Sequence, residues 1–154
     1  MIGIIAVLFS GAAVSFFIVR ELERRLSNTR ALCKLLRICT EQVEYFARSF
    51  GDIFSICEAS LLKECGYYRE EPAQNFSEFL NSCEILCSES RAIMLEFAVD
   101  FGKNYREEQV KRCKYYSERM AAHLSELDAA LPTQKKLAVA LSLSATLMTV
   151  ILLV

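Results

Sequence analysis

The sequence predicts an all-α protein: a cytoplasmic helical bundle of about five helices, flanked by an N-terminal and a C-terminal transmembrane helix. Both ends are long uncharged apolar runs, Met1 to Val19 and Leu137 to Val154, and all 18 basic and 19 acidic side chains lie between them. Within that charged middle, apolar residues recur at three-and-four spacing, the signature of amphipathic helices. No stretch alternates apolar and polar residues over enough positions to argue for a sheet. The expected organisation is a span over residues 1–19, a helical module over 20–136 and a second span over 137–154.

As a helix rising roughly 1.5 Å per residue, either terminal run reaches about 27 to 28 Å, close to the roughly 30 Å hydrocarbon core of a bilayer. Arg20, Arg24, Arg25, Arg30 and Lys34 follow the first run, and Lys135 and Lys136 precede the second. Basic residues beside spans are retained on the cytoplasmic side, which puts the module in the cytoplasm and both termini outside. The first run can also be read as a signal peptide, with Gly11, Ala12, Ala13 and Ser15 offering small residues for cleavage. It lacks a basic n-region, however, and exceeds the usual apolar core in length.

Small residues four apart, Gly11 with Ser15, Ala138 with Ser142 and Ala140 with Ser144, allow close helix approach in lipid. They could pack the two spans together or join subunits, so a homo-oligomer stays open. The bilayer is the first expected partner.

From Arg20 to Phe50, Leu22, Leu26, Cys33, Leu36, Val43 and Phe50 fall on one stripe, interrupted by Thr29 and Thr40, and predict one long helix continuous with the first span. Gly51 and Asp52 punctuate it. Asp52 is the expected N-cap of a shorter helix carrying Ile53, Ile56, Cys57, Leu61 and Cys65, which Gly66 closes. Tyr67 to Gln74, with Pro72, reads as a loop. Asn75, followed three residues later by Glu78, starts a helix expected to run through Cys87.

A further short helix is expected from Glu89 to Phe101, with Gly102 as the residue just past its end. Asn104 and Glu107 repeat the capping pattern before a last long helix. Gln109, Cys113, Tyr116, Met120, Leu124, Leu127 and Leu131 give that helix its stripe, and Pro132 is the expected break or kink before the second span.

The chemistry the sequence offers is sparse. Seven cysteines without a loop-rich framework suit buried free thiols in a reducing compartment. One histidine, His123, is expected on a stripe edge, and catalysis needs a convergent set of titratable groups that is not visible here. Glu70-Glu71 and Glu107-Glu108 are neighbours that diverge around a helix, as solvated faces do. Cys83 and Cys87, four apart, could share a helical face, but two ligands fall short of a closed zinc site. There is no phosphate-binding glycine loop, and a net charge of −1 gives no reason to expect nucleic acid. No cofactor is expected, and the expected class is non-enzymatic.

Two segments carry a family likeness. Phe101 to Gln109 resembles a Leu-Gly, Asp, Gln pattern in which Gly102 and Gln109 match and Tyr105 stands where Asp is usual. Gln42-Val43-Glu44-Tyr45, four residues before Ser49-Phe50, is similar to a Glu-Ile-x-Tyr, Pro-Leu pattern in which Tyr45 matches while Gln42 and Ser49 depart. With the layout of two terminal apolar runs and a helical body, the chain resembles stage III sporulation protein AB of endospore-forming Firmicutes, as a diverged member.

That resemblance implies a scaffold in the apparatus linking mother cell and forespore. It also implies a body similar to the cytoplasmic domains of type II secretion and type IV pilus platform proteins, and partners among the other stage III sporulation proteins, notably the ATPase, protein AA. Tyr45, Gly102 and Gln109 are the motif positions, and Arg20, Arg24, Arg25, Lys135 and Lys136 the topology determinants. The competing reading of the residues is a membrane-anchored sensor whose thiols bind metal or respond to oxidation.

Overall fold

A computed structural model describes residues 2–46, 48–103 and 105–153, with side chains described between Ser10 and Ile151. Among them the fold is all-helical: α1 (Ile2–Phe46), α2 (Phe50–Ile56), α3 (Ala59–Glu64), α4 (Phe76–Ser82), α5 (Ser88–Asp100) and α6 (Arg106–Leu153). The only extended pairing among the described residues is a single bridge between Tyr67 and Cys83. The expected terminal spans lie at the ends of α1 and α6, the first continuous with the long helix that follows it, as expected. Among the described residues no helix is long and apolar enough to cross a membrane. Positions 1–9 of the first expected span and 152–154 of the second fall outside the residues whose side chains are described.

The chain forms two compact units, Met1–Arg24 with Leu127–Val154, and Arg25–Glu126. In the first, the hydroxyls of Ser15 and Ser142 hydrogen-bond across the two helices. A side chain at Gly11 would run into Thr146, so the absence of one there lets the backbones close. The apolar side chains point the other way: Phe16, Phe17, Leu141, Leu147, Met148 and Ile151 are all exposed. Glu23 and Lys135 pair at 2.5 Å. Pro132, the expected break or kink, lies inside α6. It deletes one amide donor without ending the helix.

In the second unit, Leu32, Leu35, Leu36 and Cys39 of α1, Ile93, Met94 and Phe97 of α5, and Cys113 and Met120 of α6 are buried on a shared core. The short helices add aromatic rings. Phe50 meets Phe76 at 4.6 Å between centroids, Phe76 meets Phe97 at 4.9 Å, and Tyr67 stacks on Phe79 at 5.5 Å. Helices of six or seven residues do not hold their shape in water alone, so this packing is what maintains α2, α3 and α4. Thr29, a polar interruption of the α1 stripe, is buried and hydrogen-bonded to Ser90 at 2.9 Å. Thr40 donates to the Leu36 carbonyl at 2.8 Å.

Several expected boundaries move for local reasons. The first long helix ends at Phe46, before Phe50, because Ser49 rather than Asp52 caps α2 in a reciprocal box: Asp52 N–H donates to Ser49 Oγ and Ser49 N–H to Asp52 Oδ2. Donation from the Ser49 hydroxyl also holds the Asp52 carboxyl below its ordinary range. The single helix expected over residues 53–65 is two. Ser55 Oγ donates to the Asp52 carbonyl, and Cys57 N–H turns to Phe54 three residues back, ending α2.

The helix from Asn75 stops at Ser82, short of Cys87. The amide of Glu84 donates to the Gly66 carbonyl at 3.0 Å and that of Leu86 to Asn28 Oδ1 at 3.2 Å, so tertiary partners replace helical ones. Asn75 does cap α4, accepting from Glu78 N–H at 2.9 Å. Gly66 and Gly102 both take a positive φ, +92° and +81°, as residues past a helix end commonly do. Asn104, the expected cap of α6, lies outside the described residues.

Candidate functional site

The end of α1, the starts of α2 and α4, the end of α5 and the start of α6 surround an open cleft of about 690 Å³. Phe50, Phe76 and Phe101 give it an apolar floor, and Arg48 and Arg106 carry the only charges among the described residues lining it. Among the described residues lining it are the hydroxyls of Ser49 and Ser77 and no carboxylate, imidazole or thiol. An apolar floor with cationic edges suits a protein segment that brings an apolar anchor and negative charge. The guanidinium of Arg106 is positioned by donating to the Glu44 carbonyl at 2.5 Å.

Two of the three motif positions meet in this cleft. The Gly102 amide donates to Gln109 Oε1 at 3.0 Å, and Gln109 Nε2 reaches Cys113 Sγ at 3.7 Å. Gln109 is buried, and its side chain ties the turn after α5 to the first turns of α6. Tyr45, the third position, is 69% exposed near the end of α1 and does not line the cleft. Tyr105, where the family pattern has Asp, is 93% exposed.

Beside the cleft, α5 and α6 are joined by Asp100, which accepts from Arg112 at 2.6 Å and from the Tyr116 hydroxyl at 2.8 Å. The Tyr116 and Arg112 hydrogen bonds hold the Asp100 carboxyl low. Burial first, and then the facing carboxylate, push the Tyr116 hydroxyl up to about 12. Such a group is a structural tie, not an acid poised near neutrality. Glu108 pairs with Arg112 at 3.2 Å.

The topology determinants sit at helix surfaces. Arg24 and Glu21 are 3.7 Å apart, and Arg20, Glu21 and Arg24 border a shallow recess with Phe17. Arg25 and Lys136 are exposed, and Lys135 makes the pair with Glu23.

Cys83 and Cys87 do not share a helical face, because Cys83 ends α4 and Cys87 precedes α5, with non-helical residues between. Among the described residues no group of three His, Cys, Asp or Glu side chains is placed to hold a metal. The structure instead puts Cys87 Sγ 3.3 Å from Nε2 of His123. The sequence gives no sign of this pairing across 36 residues, since it depends on how α5 and α6 pack.

Compared with known families, residues 1–154 match the one described as Stage III sporulation protein AB. No curated protein and no solved structure matches the chain.

Proposed function

The chain belongs to the stage III sporulation protein AB family, which gives it a sporulation-related role, and on that premise we propose a non-enzymatic membrane scaffold of the stage III apparatus. It connects mother cell and forespore as part of that assembly, and its cytoplasmic helical body offers a surface to partners such as the ATPase, protein AA. The terminal runs 1–19 and 137–154 are two membrane spans, and the basic residues beside them hold the body on the cytoplasmic side.

One observation carries the membrane part of this reading. The unit of Met1–Arg24 and Leu127–Val154 is arranged as lipid requires, with serine hydroxyls at the helix contact and phenylalanine, leucine and isoleucine side chains on its outside. In water such a surface would be a costly exposed patch, whereas in hydrocarbon it is the ordinary one. The partner surface is the cleft beside Gly102 and Gln109, which offers apolar area and two arginines.

The test is capture of protein AA by the full-length chain in mild detergent, for the wild type and for a double variant, Arg48→Glu with Arg106→Glu. The wild type should capture it and the variant several-fold less, with unchanged helix content. Equal capture by both would remove the cleft from the docking surface. ATP hydrolysis by the purified chain alone would end the non-enzymatic reading.

A further inference from the structure

The geometry points to Cys87 as a modification site: a nucleophilic thiol, served by His123 as its base, that forms a mixed disulfide with a low-molecular-weight disulfide. Cys87 is the N-cap residue of α5, a helix of 13 residues, yet its side chain makes no capping hydrogen bond. Its sulfur instead faces His123 Nε2 at 3.3 Å, within the reach that marks a nucleophile and its base. His123 is the only histidine in the chain and is half-buried against α5, so the pair is fixed in position while still open to a small reagent.

The other thiols lack this arrangement. Cys39, Cys65, Cys83 and Cys113 are buried, and Cys33 and Cys57 are half-exposed but have no imidazole beside them. Burial pushes all six of these thiols above their ordinary range. Exposure alone therefore does not separate Cys87 from Cys33 and Cys57. The histidine does.

In the reaction, Nε2 of His123 takes the thiol proton as Cys87 Sγ attacks one sulfur of the reagent. The reagent's sulfur–sulfur bond breaks, a new one forms to Cys87, and the departing thiolate takes the proton. One disulfide and one thiol enter, and one disulfide and one thiol leave. The adduct would stand at the seam of α5 and α6, apart from the residues lining the cleft.

The reduced full-length chain in mild detergent is treated with an aromatic disulfide that releases a coloured thiol, and labelled peptides are mapped by mass at successive times. One thiol should react fast, and it should be Cys87. Cys87→Ser should abolish the fast phase. His123→Asn should slow Cys87 by about tenfold or more while leaving the slow phases of Cys33 and Cys57 unchanged, with circular dichroism reporting an intact fold. Labelling of Cys33 or Cys57 at or before the rate of Cys87 would overturn the assignment, and so would an unchanged Cys87 rate in folded His123→Asn. Should that variant not fold, the order of labelling in the wild type decides alone.

Discussion

The amide of Gly102 donates to the side-chain carbonyl of Gln109 at 3.0 Å, so the two positions that match the family pattern in this segment are a single hydrogen-bonded unit. Their spacing follows from that bond. Gly102 needs a positive φ to leave α5, and Gln109 reaches back from the second turn of α6 to hold the resulting turn. Replacing Gln109 by Leu keeps the volume and removes the acceptor, which should cost about 1 kcal/mol. Chemical denaturation of the full-length chain in detergent should show that loss, and a neutral effect would mean that water replaces Gln109 without cost.

The two positive-φ glycines should differ in their tolerance to alanine. At Gly102 a Cβ meets nothing within 4 Å, so Gly102→Ala carries only the backbone cost, about 1 to 2 kcal/mol. At Gly66 the same atom would collide with the Glu84 backbone, which also donates its amide to the Gly66 carbonyl. Gly66→Ala should therefore lose more than about 2 kcal/mol, with a melting temperature clearly below that of Gly102→Ala. Equal melting temperatures would contradict the close approach of residues 66 and 84.

Asn28 joins three segments, donating to the Glu64 carbonyl at 2.9 Å and accepting from Leu86 N–H at 3.2 Å. Asn28→Ala leaves both backbone groups short of a partner in a largely buried place and should cost about 1 to 3 kcal/mol. Hydrogen exchange of the Leu86 amide gives a direct readout, since its protection should fall most.

Stability should decline on the alkaline side because of the buried thiols. Burial raises Cys113 from 9.0 to about 11 and Cys83 to about 12, and it raises Cys39 and Cys65 as well. A folded-state value above the unfolded one means that stability is fully present below about pH 9 and is lost as pH rises through the folded values. Under reducing conditions the denaturation midpoint should fall between pH 9 and pH 11. Cys113→Ala, though less stable at pH 8, should lose less between pH 9 and 11.

What the sequence made legible were features set by local chemistry. Asn75 with Glu78, Gly66 and Gly102 mark helix ends because capping and positive φ depend on neighbours a few residues away. The stripes of α1 and α6 were visible because burial imposes a helical period on them. The boundaries at Ile56 and Ser82 were not, because periodicity runs through both. Each end is fixed by side-chain competition, from Ser55, or by distant partners, Gly66 and Asn28.

Pro132 does not end α6, whose 48 residues run through it. In the cleft, Gly102 and Gln109 could be picked out by their likeness to the family, while Arg48 and Arg106 could not. Their place in it depends on five helix ends meeting around Phe50, Phe76 and Phe101.

The central claim is that both terminal runs are held in a lipid bilayer with the helical body on the cytoplasmic face. Labelling of intact cells with a membrane-impermeant thiol reagent tests it most directly. Cys57 and Cys87 should stay unlabelled until the membrane is permeabilised, in protein that remains with the membrane after carbonate extraction. Labelling of either cysteine from outside intact cells, or release of the full-length chain by carbonate, would contradict it.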